Sequence, residues 1–135
     1  MTVPGQITTS SDGSFVRSMI DLDNTKPSQV CIRIDSPHVV VFKVFYRRPG
    51  EQWTFVGQGT DEDVVDVSSH CYMLPALIAA SEISCLLAFD GNEGTAFKAQ
   101  VVASQDGQIP DGGAVQVTGL IAGGTMLRQV RMVVV

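Results

Sequence analysis

Apolar and polar residues alternate with a period of two along most of this chain. In Val30–Asp35, for example, Ile32 and Ile34 fall on one face while Arg33 and Asp35 fall on the other. Such alternation is typical of a β-strand with one buried face. Nine runs, rich in residues that suit a pleated surface, predict strands: Ser14–Ile20, Val30–Asp35, Val39–Arg47, Gln52–Val56, Asp63–Val67, Ile83–Phe89, Ala96–Ala103, Ala114–Ile121 and Thr125–Val135.

Turn-forming residues separate these runs. Asp106-Gly107 and Gly123-Gly124 are typical hairpin turns. Eight or nine short antiparallel strands at this spacing predict an all-β fold, either a β-sandwich or a jelly-roll-like barrel. We assign residues 14–135 to this single domain. Residues 1–13 are polar and predict an N-terminal arm, which is either loose or an extension at a sheet edge.

One segment departs from the strand pattern. Tyr72–Glu82 contains three alanines, which lower its β propensity, and Pro75 suits the first turn of a helix. We therefore expect a short helix near residues 76–81. So short a helix is stable only when it packs against a sheet.

Composition excludes several classes of protein. Hydrophobic residues make up 44% of the 135 residues, which excludes intrinsic disorder. Nine basic residues against fourteen acidic ones give a net charge of −5, which argues against nucleic acid as a partner. No apolar run is long enough to predict a membrane span. The first residues lack the pattern of a secretory signal, so we expect the cytoplasm or an assembled particle.

The charged fraction favours self-association. Only 17% of residues are charged, whereas about 25% is usual in soluble domains. A shortage of charged surface indicates that part of the surface is buried against another copy. The apolar run Met132–Val135 predicts a C-terminus that is paired within a sheet, since an exposed run would be an adhesive edge.

The three cysteines, Cys31, Cys71 and Cys85, do not form a disulfide framework. We expect three buried thiols in a reducing compartment. The alternative is one disulfide with one thiol left free. His70 and Cys71 are neighbours in sequence, so in a strand they point to opposite faces.

One turn concentrates the residues of binding surfaces. Tyr46, Arg47, Arg48 and Trp53 lie around Pro49-Gly50, and they include the only Trp of the chain. An aromatic ring with planar polar partners suits a carbohydrate, while Trp, Tyr and Arg are also the anchors of protein interfaces. The alternative is that Trp53 belongs to the core and the arginines form a solvated hairpin tip.

The densest group of carboxylates is Asp61, Glu62, Asp63 and Asp66. Calcium prefers several oxygen ligands from one or two loops, so these four residues are candidate calcium ligands. No acidic segment fits EF-hand spacing, and the alternative is a solvated loop. No other metal or cofactor is predicted.

Catalytic motifs are lacking. No GxSxG motif occurs, and His38, His70 and Cys71 are the only residues that can be nominated for nucleophilic chemistry. No motif assigns the chain to a family. We predict a non-enzymatic structural protein that acts as a homo-oligomer, such as a capsid-, tail- or scaffold-like subunit. The first alternative is a lectin-like carbohydrate-binding module, and the least expected is a small β-barrel enzyme.

Overall fold

The computed structural model describes the backbone of residues 7–10 and, in full, residues 15–36, 39–62, 66–122 and 124–135. The described residues form ten strands and contain no helix. The strands are β1 (Ile7–Ser10), β2 (Phe15–Ile20), β3 (Ser28–Ile34), β4 (Val39–Arg47), β5 (Thr54–Asp61), β6 (Ser68–Leu74), β7 (Glu82–Asp90), β8 (Ala96–Ser104), β9 (Ala114–Leu120) and β10 (Thr125–Val134). The predicted all-β sandwich is confirmed.

Two five-stranded sheets make up the sandwich. The first sheet has the order β1-β9-β8-β3-β6, and the second has the order β2-β10-β7-β4-β5. Two pairs at the edges, β1 with β9 and β2 with β10, are parallel. The prediction of antiparallel strands was therefore wrong for these two N-terminal strands. Each pairs with a strand about a hundred residues away in sequence. A short hairpin forces its two strands to be antiparallel, whereas a connection of this length allows either direction.

The core lies between the inner faces of the two sheets. Period-two alternation places one side chain of every two in this layer, as the exposure pattern of β2, β3 and β4 shows. Phe89 of the second sheet stacks on Phe97 of the first, with ring centroids 4.4 Å apart. The largest fully buried side chains come from both sheets and two loops: Phe42, Phe89, Phe97, Ile20, Ile32, Ile34, Leu74, Leu77, Ile83, Leu87, Ile121 and Met132.

Two strands were not among the nine predicted runs. β1 falls within the predicted N-terminal arm, and its backbone extends the edge of the first sheet beside β9. β6 follows the predicted strand Asp63–Val67, of which residues 63–65 lie outside the described part of the chain. β6 escaped prediction because its outward positions carry serine and cysteine and its inward positions carry His70 and Tyr72.

The predicted helix near residues 76–81 is wrong. This segment is an irregular connection that ends in a turn at Ala79-Ala80. The amide of Ala80 donates to the carbonyl oxygen of Val134, 2.7 Å away, and the side chain of Leu77 is buried. The segment therefore finds its hydrogen-bond partner in β10 and its packing in the core rather than in a helix of its own. Tertiary packing overrides the helix propensity of its alanines.

The C-terminal prediction is confirmed. β10 lies between β2 and β7, and it pairs with both. The amide of Val135 donates to the carbonyl oxygen of Ile20 at 3.0 Å. The apolar C-terminal run is thus held within the second sheet to its last residue.

Candidate functional site

The outer face of the second sheet is rich in apolar and aromatic side chains. We call it the aromatic face, and it carries Phe15, Arg17, Met19, Val41, Lys43, Phe45, Arg47, Trp53, Phe55, Ser84, Leu86, Ala88, Leu127, Gln129 and Arg131. Leu127 is 63% exposed, Phe55 53% and Met19 52%. The solvated face of an antiparallel sheet is usually polar, so this face departs from the common pattern.

Strand register aligns these side chains in rows across the sheet. One row runs Leu127, Ala88, Val41, and the next runs Gln129, Leu86, Lys43. The third row contains Arg131, Ser84 and Phe45. Small residues of the central strand β7 thus alternate with Leu86, and larger residues flank them on both sides.

This alternation produces two hollows. The first has a volume of about 360 Å³ and lies around Ala88, between Val41 and Leu127. The second, of about 250 Å³, lies around Ser84 and is lined by Phe45, Trp53 and Arg131. Leu86 lines both hollows and stands between them. The aromatic face is therefore not flat: along β7, Leu86 stands between two hollows, one on each side of it.

Trp53 lies under two guanidinium groups at one end of this face. The Cζ atom of Arg47 is 4.4 Å from the Trp53 ring centroid, and that of Arg131 is 5.3 Å away. Both arginines also approach Glu82: Nε of Arg47 donates to Oε2 at 2.5 Å, and Nη1 of Arg131 lies 3.9 Å from Oε1. The cation–π contacts hold both guanidinium groups against the Trp53 ring. The carboxylate of Glu82, which the two arginines share, compensates part of their positive charge.

The structure divides the four residues predicted for a binding site. Arg47 and Trp53 belong to the aromatic face. Tyr46 points the other way from β4 and packs against the core, with Cζ of Arg48 5.7 Å from its ring centroid. Nη2 of Arg48 also donates to the carbonyl oxygen of Ala76 at 3.3 Å. The four side chains therefore do not converge on one surface.

Sequence reasoning missed most of the aromatic face. Leu86 and Val41 sit in nearly continuous apolar runs, which predicted strands but not which residues face outward. Arg131 reaches the site through pairing of β10 with β7, and Phe15 reaches it through pairing of β2 with β10, across more than a hundred residues. One feature of the sequence could have revealed the aromatic face. Both faces of Val39–Val44 and Ile83–Phe89 are apolar, and a strand with two apolar faces requires a covering layer on each side.

The predicted calcium ligands are only partly within the described residues. Asp61 lies on the inner side of β5 with its side chain 1% exposed, and Nε2 of His70 donates to its Oδ2 at 2.9 Å. Glu62 and Asp66 are exposed, and Asp63 lies outside the described ranges. Among the residues that the structure describes, no three His, Cys, Asp or Glu side chains are grouped for metal binding.

The expectation of three buried thiols is wrong for two of them. Cys31 and Cys71 face each other on β3 and β6 and form a disulfide, which was the stated alternative. The third thiol is buried as expected, and burial raises the pKa of Cys85 to about 12. Cys71 is thus bonded rather than a free nucleophile, and His38 lies outside the described residues.

The prediction for His70 and Cys71 is confirmed. The ring of His70 faces inward, with its centroid 4.7 Å from that of Phe42, whereas Cys71 is on the outer face of the first sheet. The His70–Asp61 hydrogen bond therefore joins β6 of the first sheet to β5 of the second. Its position at the open side of the sandwich indicates a structural role.

The acidic loop before β3 has its own internal partners. The carboxylate of Asp23 accepts hydrogen bonds from the amide of Thr25 at 2.9 Å and from its hydroxyl at 2.6 Å. These bonds lower the pKa of Asp23. The ammonium of Lys26 lies 2.7 Å from Oδ2 of Asp106, and this contact raises the pKa of Lys26. These groups hold two loops together at one end of the sandwich.

Comparison with known proteins adds information about the fold alone. No protein-family profile matches the chain, and no curated protein matches it. Among solved structures, the chain is similar to a domain of unknown function, DUF4425, from Bacteroides vulgatus. The two share 8% identity with a TM-score of 0.50, over 81% of this chain and 94% of the other. In the described part of the chain, no helix has the length and apolar character needed to cross a membrane.

Proposed function

We propose that this protein is a non-enzymatic structural module that associates with a second copy of itself through the aromatic face. The observation that carries the proposal is the exposure of large apolar side chains, Leu127, Phe55, Met19, Phe15, Val41 and Leu86, on one sheet face. Contiguous apolar surface of this kind marks interaction sites in soluble proteins. A larger scaffold would use this pair as its repeating unit.

The size of the face supports a second copy as its occupant. Five strands spaced about 4.8 Å apart, each about seven residues long, cover on the order of 500 Å² of flat area. Side-chain relief increases the accessible area beyond this value. Specific interfaces bury about 600–1,000 Å² on each partner, so a single aromatic face is large enough for one such contact.

The shape of the face supports the same occupant. In a two-fold symmetric pair, both copies contribute the same patch, so a side chain that projects from one copy must fit a hollow that this patch provides on the other copy. Leu86 projects beside the hollow around Ala88, two residues further along β7. With two such faces opposed, Leu86 of each copy enters the Ala88 hollow of the other, as side chains interdigitate between stacked sheets.

Charge on the face makes the proposal specific. Arg47 and Arg131 share Glu82 and stack on Trp53, but Arg17 and Lys43 add further positive charge to the same surface. Two copies therefore repel each other weakly across the interface. Because salt screens this repulsion, self-association is expected to strengthen as salt is added.

The test is the solution mass of the wild-type protein and two variants, measured by size-exclusion chromatography with light scattering. Leu86→Arg places a charge at the predicted knob, and we expect a monomer with an unchanged circular dichroism spectrum. Met73→Glu is the matched control, since Met73 is 62% exposed on the outer face of the first sheet. It should leave the dimer intact. A monomeric wild-type protein at every accessible concentration would contradict the proposal.

A second candidate function rests on the hollow around Ser84. Trp53 and Phe45 provide rings, while Arg131, Gln129 and Ser84 provide polar groups within the same hollow. This combination suits a carbohydrate as the ligand. If the module binds carbohydrate, Trp53→Ala should abolish binding in a glycan screen without unfolding the sandwich, and added salt should not be required. No binding in the wild type would remove this candidate.

A further inference from the structure

The disulfide lies where solvent reaches it. Cys71 is on β6, the edge strand of the first sheet, and Cys31 is opposite on β3. Both sulfurs are on the outer face of the sheet, where Cys71 is exposed and Cys31 is half-buried. Exposed disulfides are the labile ones, so an outward cross-strand pair at an edge is open to reaction.

The two sulfurs differ in access. Thiol–disulfide exchange begins when a thiolate attacks one sulfur and expels the other as a thiolate. The more exposed sulfur, that of Cys71, is the one an incoming thiolate reaches first. Cys31 is then the leaving group. Arg33 lies two residues further along β3 on the same face, and its positive charge favours the thiolate that Cys31 becomes.

We propose that Cys71 is a site of reversible thiolation by small thiols of the glutathione class. In the first step, the incoming thiolate forms an S–S bond with Sγ of Cys71, and the Cys31–Cys71 bond breaks with its electron pair on Cys31. In the reverse step, the Cys31 thiolate attacks Cys71 and releases the small thiol. A second small thiolate, attacking the mixed disulfide instead, releases the oxidised small disulfide and leaves two protein thiols. The only co-reactant is the small thiol itself.

The third cysteine provides an internal control. Cys85 lies in the core with no exposed surface, and burial raises its pKa to about 12. Its thiolate is therefore scarce at neutral pH, and a reagent cannot reach it in the folded state. Modification of Cys85 reports unfolding, so it separates attack on the native protein from attack on an unfolded chain.

The experiment follows the folded wild-type protein in a mixture of reduced and oxidised glutathione, so that an exposed Cys85 thiol could also form an adduct, with samples quenched in acid and mapped by mass spectrometry. We expect a mixed disulfide on Cys71, none on Cys85, and a rate that rises in proportion to the thiol concentration. A rate that does not depend on thiol concentration would show that reduction waits for unfolding, and would overturn the proposal. An adduct mainly on Cys31 would overturn it as well.

Two variants sharpen the assignment. In Cys31→Ser the resolving thiol is lost and Cys71 is a free thiol, so the adduct is formed with oxidised glutathione, whose S–S bond the Cys71 thiolate attacks with release of one glutathione thiolate. This adduct should persist several-fold longer than the mixed disulfide of the wild type. Arg33→Glu should slow exchange with glutathione, which is anionic, more than exchange with a neutral thiol such as mercaptoethanol. Equal slowing with both thiols would remove the role of Arg33. If Cys31→Ser fails to fold, the wild-type mapping still decides the proposal.

Discussion

The two sheets are alike on their inner faces and differ on their outer faces. Outside the first sheet, polar side chains pair across strands: Lys98 lies 3.1 Å from Asp35, and Nε2 of Gln100 donates to Oε1 of Gln116 at 3.0 Å. Outside the second sheet, Leu127, Leu86 and Val41 are exposed, and Leu86 lines a hollow with Trp53. Folding requires only the inner faces to be apolar. The apolar outer face of the second sheet is not required for folding, so it is the face that indicates function.

The same contrast exists between two neighbouring residues. Leu86 and Leu87 are adjacent on the central strand β7, with Leu86 38% exposed and Leu87 1% exposed. Truncating Leu87 should therefore change the stability of the core, whereas truncating Leu86 should change association through the aromatic face.

Leu87→Ala should destabilise the fold the most. It removes a fully buried side chain, and such changes cost about 2–5 kcal/mol because a cavity remains. Leu86→Ala should cost less than about 1 kcal/mol in the monomer, yet it should weaken association. Urea unfolding at low protein concentration measures both. Similar losses of stability for the two variants would contradict the assignment of faces.

Loss of the Cys31–Cys71 bond should have the next largest effect. The bond closes a loop across 40 residues, and removing such a cross-link costs about 2–4 kcal/mol. The double variant Cys31→Ser/Cys71→Ser should therefore unfold at lower urea. Its dimer mass should not change, because the disulfide lies on the face opposite the proposed interface. A monomeric double variant would show that the two faces are coupled.

The hydrogen bond between the sheets should have an intermediate effect. His70→Ala removes a partner of the buried carboxylate of Asp61, and leaving a buried polar group without its bond costs about 1–3 kcal/mol. His70→Gln keeps a donor and should lose less. Thermal unfolding of both variants gives the comparison. Equal losses would show that packing of the ring against Phe42, rather than the hydrogen bond, is the main contribution.

The loop around Asp23 should have the smallest effect. Because the folded-state pKa of Asp23 is lowered by its bonds to Thr25, its contribution to stability is present above the unfolded-state pKa. It is lost as pH falls through the folded-state pKa. Thr25→Ala should therefore bring the pKa of Asp23 back toward its ordinary value and slightly flatten the acid side of the stability profile. Carboxyl titration by NMR measures the shift, and an unchanged pKa would contradict it.

The sequence was informative where local pattern decides the outcome. Alternation in Val30–Asp35 identified a strand and its buried side, since pleating fixes a period of two. The run Val39–Arg47 identified a strand but not its buried side. The turn at Asp106-Gly107 lies between β8 and β9, as its residue types predict. The C-terminal strand was predicted because an exposed apolar run would aggregate.

The rest depends on contacts between residues far apart in sequence. Cys31 and Cys71 meet only because β3 pairs with β6 in one register, which no local pattern specifies. Trp53 meets Arg131 for the same reason, since β10 and β4 both flank β7. The predicted site around Tyr46 failed to converge because adjacent residues of a strand point to opposite faces, so Tyr46 and Arg47 were separated.

Sedimentation equilibrium of the wild-type protein at low and high salt tests the central claim most directly. The chain has a mass of 14.4 kDa. Association through the aromatic face predicts twice that mass at high concentration, with a dissociation constant that falls as salt is added. A mass that stays at the monomer value under both conditions would contradict this account of the aromatic face.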